Sequence, residues 1–552
     1  MKKKAIGSLV LASAMAMGNM SVFAADATKN ADGKYDPEIT ITIGKQLDEN
    51  TGRYGDGEDI NKNPMTELTR ESLGINMETT LLGGDASNYE TKLRLALTSS
   101  DDLPDVFPVY SAQLAADMIE SGMVKDITED IENYMPERLK EIYDQYPGTY
   151  STVTKDGKIY GMAVSPNLTE GEVMIIRQDW LDKLGLKAPT TIDEFEEVIR
   201  AFTEDDPDGN GQKDTYGFTY EGDSIYNNGW CADPVTIFSV FSGSSHPIHL
   251  LQLLPGKSSR LHATLPYAQV PACCPRQENH IRAFRPRPPA TVLEAAATGV
   301  WDAMTQFTEG KAGIFIGRPW CIDSVKDVTS AAPEAVVKAY PNILQENGEM
   351  TYKDAELNDG WLMFKKDFDN MEAFFEYYDW MYNPAFGTNG FEYGYLEGYD
   401  YQVQGDKVVF DSNLFDPPVA DPFLPGKSTV FKNSPGFSAM EAYAKVYAGG
   451  EAETGAEIRA KAHFETSYNC AEGYAIANDY KEYQNPSKFK AAPTASMSKY
   501  WEQLQTMEKQ VYTNIIYGNE SIDAFDKFVE DWYSQGGDKI TEEVNEWYQS
   551  VK

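Results

Sequence analysis

The stretch Ile39-Thr40-Ile41-Thr42-Ile43 places apolar β-branched residues at every second position, the period of a strand with one buried face. The run Met65 to Leu73 that follows has helical spacing, and a strand leading into a helix is how an α/β sheet opens. The same alternation continues along the chain. Ser99-Ser100-Asp101-Asp102-Leu103-Pro104-Asp105-Val106-Phe107 closes a helix and enters a short strand, and Asp156-Gly157 turns the chain into a strand that ends near Val164. Gly310 to Gly317 and Gly360 to Phe364 read as buried strands, and Asn370 to Met381 reads as an amphipathic helix. The C-terminal hundred residues are mostly helical in pattern, with a closing helix over Ile540 to Trp547 and no internal repeat.

A chain of 552 residues is too long for one core and divides into at least two lobes. Its first 24 residues carry Lys2, Lys3 and Lys4, an apolar run from Ala5 to Met17, and Val22-Phe23-Ala24 before Ala25, the pattern of a signal peptide. Beyond it no apolar run is long enough to cross a bilayer. Removing it takes away three lysines and no acid, which moves the formal net charge from −38 to −41. Such a surface repels nucleic acid and anionic membrane, and suits an exported protein. The first cysteine is Cys231, so no cysteine near the cleavage site could carry a lipid, and the expected product is released or periplasmic. The other cysteines are Cys273, Cys274, Cys321 and Cys470, and their spacing forms neither a metal set nor a disulfide framework.

Signatures of catalysis are poor. Gly426-Lys427-Ser428 lacks the upstream glycine of a phosphate loop, no G-x-S-x-G elbow occurs, and outside residues 246–289 the sole histidine is His463. The expectation is a protein that is not an enzyme.

Asp206-Pro207-Asp208-Gly209-Asn210-Gly211-Gln212-Lys213-Asp214 sets oxygen donors at alternate positions around a glycine, which is how a short loop wraps a hard cation. Asp206, Asp208, Asn210, Gln212 and Asp214 are the candidate ligands of a structural calcium ion. The twelfth position is Gly217 rather than glutamate, so the bidentate ligand of an EF-hand is missing, and an unmetallated Asx-rich turn is the competing reading. Upstream, Thr190-Thr191-Ile192-Asp193-Glu194-Phe195 caps and opens the helix that feeds this loop.

One segment breaks the character of the chain. Residues 246–289 hold four of the five histidines, five arginines, eight prolines and two cysteines, but a single acid, Glu278. Eight prolines fit neither helix nor strand. Three readings compete: a compensated frameshift, a real inserted loop, and a functional basic or metal patch, although His246-x-x-His249 and Cys273-Cys274 make no convincing zinc set.

Asp102-Leu103-Pro104-Asp105-Val106, Asp156-Gly157-Lys158-Ile159-Tyr160-Gly161, Arg177-Gln178-Asp179-Trp180-Leu181, the Thr190 cap and the Asp206 to Gly217 loop, in this order, resemble the extracellular solute-binding proteins, family 1, that serve bacterial ABC importers. The likeness is to their large oligosaccharide-binding branch and covers Pro37 to Tyr548 except 243 to about 293. It implies an α/β, two-lobed periplasmic-binding-protein-like fold of type II, with hinge-linked lobes around a central cleft. By this resemblance residues 25–163 and 339–430 form lobe 1, and residues 164–338 and 431–552 form lobe 2. Gly317-Arg318-Pro319-Trp320 resembles the glycine-proline-tryptophan element of the maltose-binding members, whose tryptophan stacks on sugar. Trp320 is therefore the first candidate ligand contact, followed by Trp230, Trp361 and Tyr395, with Arg177 and Glu397 as the polar candidates. In the calcium-bearing relatives an acid follows the position of Asp214, where this chain has Thr215.

The expected function is capture of an oligosaccharide or similar polar solute by a monomer, and its delivery to ABC permease subunits by lobe closure. The alternative is a secreted, calcium-stabilised enzyme that degrades polysaccharide. For residues 246–289, translation of the other two frames of the coding DNA across residues 243–293 is expected to yield an acidic, helix-patterned stretch. If neither frame does, the frameshift reading fails.

Overall fold

The computed structural model describes residues 27–47, 54–164 (56 and 99–102 aside), 169–221, 231–232, 296–322 (298 aside), 328–344, 352–410 (354, 357–359 and 406 aside), 415–416, 426–431 (427 aside), 439–485 (467 aside), 489–516 (490 aside) and 519–551 (522 aside). Trp230 and the segment 246–289 lie outside the described residues.

Two five-stranded sheets organise the chain. Their strands, in chain order, are β1 (Ile39–Gln46), β2 (Ile75–Gly83), β3 (Val106–Val109), β4 (Gly161–Ala163), β5 (Val173–Arg177), β6 (Tyr216–Glu221), β7 (Ala296–Ala297), β8 (Ala312–Gly317), β9 (Val337–Tyr340) and β10 (Trp361–Phe364). The first sheet has the order β2-β1-β3-β10-β4, and the second has the order β7-β6-β8-β5-β9. All pairings are parallel except those of β10 in the first sheet and β5 in the second. Each sheet thus holds one reversed strand in its fourth place. That strand reaches its sheet only after the chain has crossed from the other one: β5 follows β4, and β10 follows β9. This is the two-lobed type II architecture.

Alternation in β1 does what the pattern implies, with Ile39, Ile41 and Ile43 buried and Thr40 exposed. The helix Pro64–Leu73 begins at Asn63, whose side chain accepts from the amides of Met65 and Thr66, and it ends on Gly74 at φ 69°. A glycine is needed there, because the left-handed backbone disfavours a Cβ and an added one would also meet the Tyr35 carbonyl at 2.3 Å. Asp105 ties the first two parallel neighbours together. Its Oδ2 accepts from the Thr42 amide and hydroxyl, both at 2.8 Å, and its own amide donates to the Thr42 hydroxyl at 2.9 Å. Asp156 and Gly157, both at positive φ, make the tight turn of a hairpin just before β4.

Both faces of each sheet are covered. In lobe 1 the helix Met371–Met381 buries Phe374, Phe375, Tyr377 and Tyr378 against one face, with Val430 and Phe431 beside them. The helix Ala112–Ser121 packs Leu114, Ala115 and Met118 on the other. In lobe 2 the helix Ile192–Glu204 presents Phe195, Val198, Ala201 and Phe202 as one apolar stripe, joined by the C-terminal helices through Leu504, Phe528, Trp532 and Ile540. The opposite face carries the helices Ala439–Tyr447, Gly455–Thr466 and Tyr468–Asp479. Burying a large apolar side chain contributes about 1.5–3 kcal/mol, so these four packed faces supply most of what holds each lobe.

Candidate functional site

The strand directions decide which end of each sheet matters. In lobe 1 the carboxyl ends of β1, β2, β3 and β4 lie together with the start of the reversed strand β10. In lobe 2 the carboxyl ends of β6, β8 and β9 lie with the start of β5. Ligands of open α/β sheets bind outside the carboxyl ends of the strands, because loops and helix starts converge there. At these ends the two lobes also touch: the Ser498 hydroxyl, in the first turn of the helix Ala495–Ile516, bonds Oε1 of Gln113 at 2.6 Å.

On the lobe 1 side the rim is built from Lys45, Tyr110, Gln113 and Trp361. Lys45 is buried and donates from Nζ to the carbonyls of Gly426, at 2.9 Å, and Phe431. Trp361 opens β10, is buried, and its indole Nε1 has no hydrogen-bond partner among the described residues. Gly360 precedes it at φ 86°, and any Cβ there would strike the Val109 carbonyl and the Tyr110 ring. On the lobe 2 side stand Glu172, Glu221, Arg318, Trp320 and Asn342. Glu221 ends β6 and Arg318 follows β8, both buried. Trp320, two residues after Arg318, is partly buried against the lobe 2 core. Asn342 follows β9, is buried, and its Oδ1 has no partner among the described residues. Flat rings with nearby unpaired donors and acceptors suit a polar ligand that has C–H faces and hydroxyls.

The structure brings Trp320 and Trp361 to this rim but not Tyr395, Glu397 or Arg177, and Trp230 lies outside the described residues. Tyr395 lies in the lobe 1 core beside Trp380, away from the strand ends that form the rim, with its hydroxyl donating to the Met381 carbonyl. Glu397 is exposed beside a hairpin, where its carboxylate accepts from the Val403 amide at 3.4 Å. Arg177 ends β5 and therefore sits at the opposite end of the lobe 2 sheet from Trp320. Its guanidinium pairs with both oxygens of Asp179, at 2.9 and 2.6 Å, and covers the Trp180 ring at 4.5 Å. Asp179 Oδ1 also accepts from the Val336 amide at 3.2 Å. Arg177-Gln178-Asp179-Trp180 is thus a clamp that fixes β5 to the start of β9. The rim residues Gln113, Glu172, Glu221 and Asn342 carried no motif; their only sequence signal was a position at a strand end or helix start.

The acidic loop belongs to the clamp end as well, because it joins the helix Ile192–Glu204 to the start of β6. A cavity of about 360 Å³ there is bounded by Arg177, Trp180, Lys183 and Asp208, among others. In the loop, Asp206 accepts from the amides of Gly209 and Gly211, and Asn210 Nδ2 donates to Asp208 at 2.8 Å and to Asp214 at 3.1 and 3.3 Å. Partial burial, with Asp206 and Asp214 adding to it, pushes the Asp208 carboxyl above the usual aspartate range. Among the described residues no three acidic, histidine or cysteine side chains are already set around one point as a metal cage. Thr215 is buried with its hydroxyl on the Phe202 carbonyl at 2.7 Å, so it offers the loop nothing. Gln212, like Asn210 and Asp214, is exposed.

Residues 73–249 match the family model of bacterial extracellular solute-binding proteins. Among curated proteins, the chain is 36% identical over 140 residues to the polygalacturonan/rhamnogalacturonan-binding protein YtcQ of Bacillus subtilis, an alignment over 25% of this chain and 26% of that one. It is 30% identical over 211 residues to the fructooligosaccharide ABC transporter substrate-binding protein FusA of Streptococcus pneumoniae, over 36% of this chain and 37% of that one. These sequence alignments therefore span about a quarter to a third of the curated relatives. Among solved structures, the alginate-binding protein AlgQ2 without calcium ion superposes with a TM-score of 0.61 at 16% identity, over 94% of this chain and all of that one. FusA from S. pneumoniae in complex with kestose superposes with a TM-score of 0.58 at 17% identity, over 93% and 100% of the two chains. The fold is common to this chain and these solved structures.

Gly217 explains why the loop has no twelfth-position acid. A Cβ at Gly217 would lie 2.2 Å from the Ile199 carbonyl oxygen and 2.4 Å from the Ile199 Cα, on helix backbone that cannot give way. Gly217→Glu, which completes the EF-hand pattern on paper, is therefore expected to cost about 3 kcal/mol by overpacking. Denaturant titration checks this: a lower midpoint without gain in calcium response is expected, and an unchanged midpoint contradicts the packing argument.

Proposed function

We propose that this chain, which carries the solute-binding family's segment over residues 73–249 and that family's fold beyond it, is the extracytoplasmic substrate-binding protein of an ABC importer, capturing an oligosaccharide or a similar polar solute. The observation that carries the reading is the rim itself. Two tryptophans, one from each lobe, stand at the carboxyl ends of the two sheets, with Trp361 Nε1 and Asn342 Oδ1, which have no partner among the described residues, beside them. Ring faces stack on the C–H faces of sugars, while the indole N–H and the amide oxygen take hydroxyls that water otherwise holds. A ligand that contacts both lobes binds the closed arrangement better than the open one, and so shifts the population toward closure. The closed form is then the state presented to permease subunits. Relatives whose names specify polygalacturonan, rhamnogalacturonan and fructooligosaccharide point to the oligosaccharide class. Nothing in the site or the comparisons favours the enzyme reading.

The loop fits calcium in donor chemistry. Asp206, Asp208, Asn210 and Asp214 would hold the ion with side-chain oxygens and Gln212 with its carbonyl. A bound ion would neutralise the mutual repulsion of three carboxylates and staple the helix Ile192–Glu204 to β6, remote from the ligand rim. The loop's role in this reading is stability of lobe 2, not recognition.

Titration calorimetry against neutral and acidic oligosaccharides is expected to find binding in the micromolar range or tighter, with Trp320→Ala and Trp361→Ala each weakening it about tenfold, near 1.4 kcal/mol. Absence of binding across a broad panel would remove the oligosaccharide reading. For the loop, calcium is expected to raise the melting temperature of the wild type but not of Asp208→Ala. The gain should fade as pH drops through the raised pKa of Asp208, at higher pH than an ordinary aspartate would require. A calcium response identical in the variant would dismiss the site.

A further inference from the structure

Two of the five cysteines, ninety residues apart in sequence, meet in the folded chain. Cys231 Sγ lies 3.1 Å from Cys321 Sγ, closer than unbonded sulfurs normally sit, and both residues are completely buried. Their backbones are held independently of the sulfur contact. Ala232 donates its amide to the Ile316 carbonyl at 2.8 Å and accepts from the Glu221 amide at 2.8 Å, which lays residues 231–232 across the ends of β6 and β8. Cys321 donates its amide to the Arg318 carbonyl at 2.9 Å in the turn after β8. With both backbones held and the sulfurs already adjacent, the pair is placed to close to a covalent bond of about 2 Å.

We propose that Cys231 and Cys321 are a disulfide-forming pair whose oxidation pins residues 231–232 to the turn that carries Trp320. The step consumes an exchangeable disulfide, such as glutathione disulfide or the active-site disulfide of a thiol oxidoreductase. One cysteine thiolate attacks it to form a mixed disulfide and expels one thiol; the second cysteine then attacks the mixed disulfide and expels the other. One S–S bond forms, one breaks, the two cysteines are oxidised by two electrons, and their two protons leave on the reduced oxidant. In the folded state burial holds the Cys321 thiol well above its ordinary range, and the neighbouring Cys231 adds to this. A buried, protonated thiol reacts slowly, so the bond forms while the chain folds. The chemistry suits an exported chain, because such bonds persist outside the cytoplasm. Its consequence is a wall of the ligand rim braced from behind, since Trp320 is the residue before Cys321. The pair does not depend on the oligosaccharide reading, because its test needs no ligand.

The test is to refold the full chain with a mixture of oxidised and reduced glutathione, digest it without reduction and map linked peptides by mass spectrometry. A peptide pair joined at Cys231 and Cys321 is expected, about 2 Da lighter than the sum of its reduced parts. The oxidised protein should melt roughly 5 °C or more above the reduced one, a difference that the C231S and C321S variants abolish. A variant with Cys273→Ser, Cys274→Ser and Cys470→Ser retains the pair alone and should still cross-link. If the refolded chain shows native circular dichroism while Cys231 and Cys321 remain fully alkylatable, or are linked to other cysteines instead, the proposal is overturned.

Discussion

Everything in this molecule depends on one topological constraint: the lobe 1 sheet is completed by a strand that arrives only after the chain has built the lobe 2 sheet. In lobe 1, β10 fills the gap between β3 and β4, and it can do so only after the β5 to β9 sheet has been threaded. Its four residues, Trp361 to Phe364, are buried and pair on both sides. Phe364 stacks with Phe368 and meets Phe374 edge-on at 5.1 Å, so the late strand is also the anchor of the lobe 1 helix layer. Lobe 2 begins with its own reversed strand, β5, in the fourth place of its sheet. The lobe 1 sheet is not whole without the chain crossing to lobe 2 and back, and those crossings set two otherwise separate cores facing one another.

That facing sorts residues into two ends with different work. The end where Trp320, Trp361, Asn342 and the Gln113–Ser498 contact lie is where strands release their loops toward the other lobe. At the other end of lobe 2, Arg177, Asp179, Trp180 and the acidic loop close the sheet against solvent. The second set has the stronger sequence signals, since clamps and turns demand particular residue types at particular spacings. The first set is quieter, because a ligand wall needs only a ring or a polar atom in the right place, and many sequences supply that.

The candidates divide along the same line. Trp320 was legible because a glycine-proline-tryptophan element follows a recognisable buried strand. Arg177 and Tyr395, named as candidates alongside the resemblance, lie elsewhere in the fold: one is paired with Asp179 and stacked on Trp180, the other is a buried phenol bonded to the Met381 carbonyl. The acidic loop was read correctly as oxygen-rich and glycine-turned. Its missing twelfth ligand was visible in the sequence as Gly217, but the reason, contact with the backbone of Ile199, was not. Cys231 and Cys321 had no legible relation, because ninety residues separate them and only the ends of β6 and β8 bring them together.

By itself the sequence determined the local alphabet of the fold: the alternating β1, the capped helices at Asn63 and Thr191, the Asp156-Gly157 turn and the apolar stripe of Phe195 to Phe202. These follow from backbone and side-chain chemistry within a few residues, where periodicity and capping act. What only the tertiary structure decided is which strand ends face the cleft, which aromatic rings stand at those ends, and which polar atoms remain without a partner among the described residues. Those properties come from strand direction and crossing, and hydrogen bonds between strands far apart in the chain leave no periodic trace in the residues that make them.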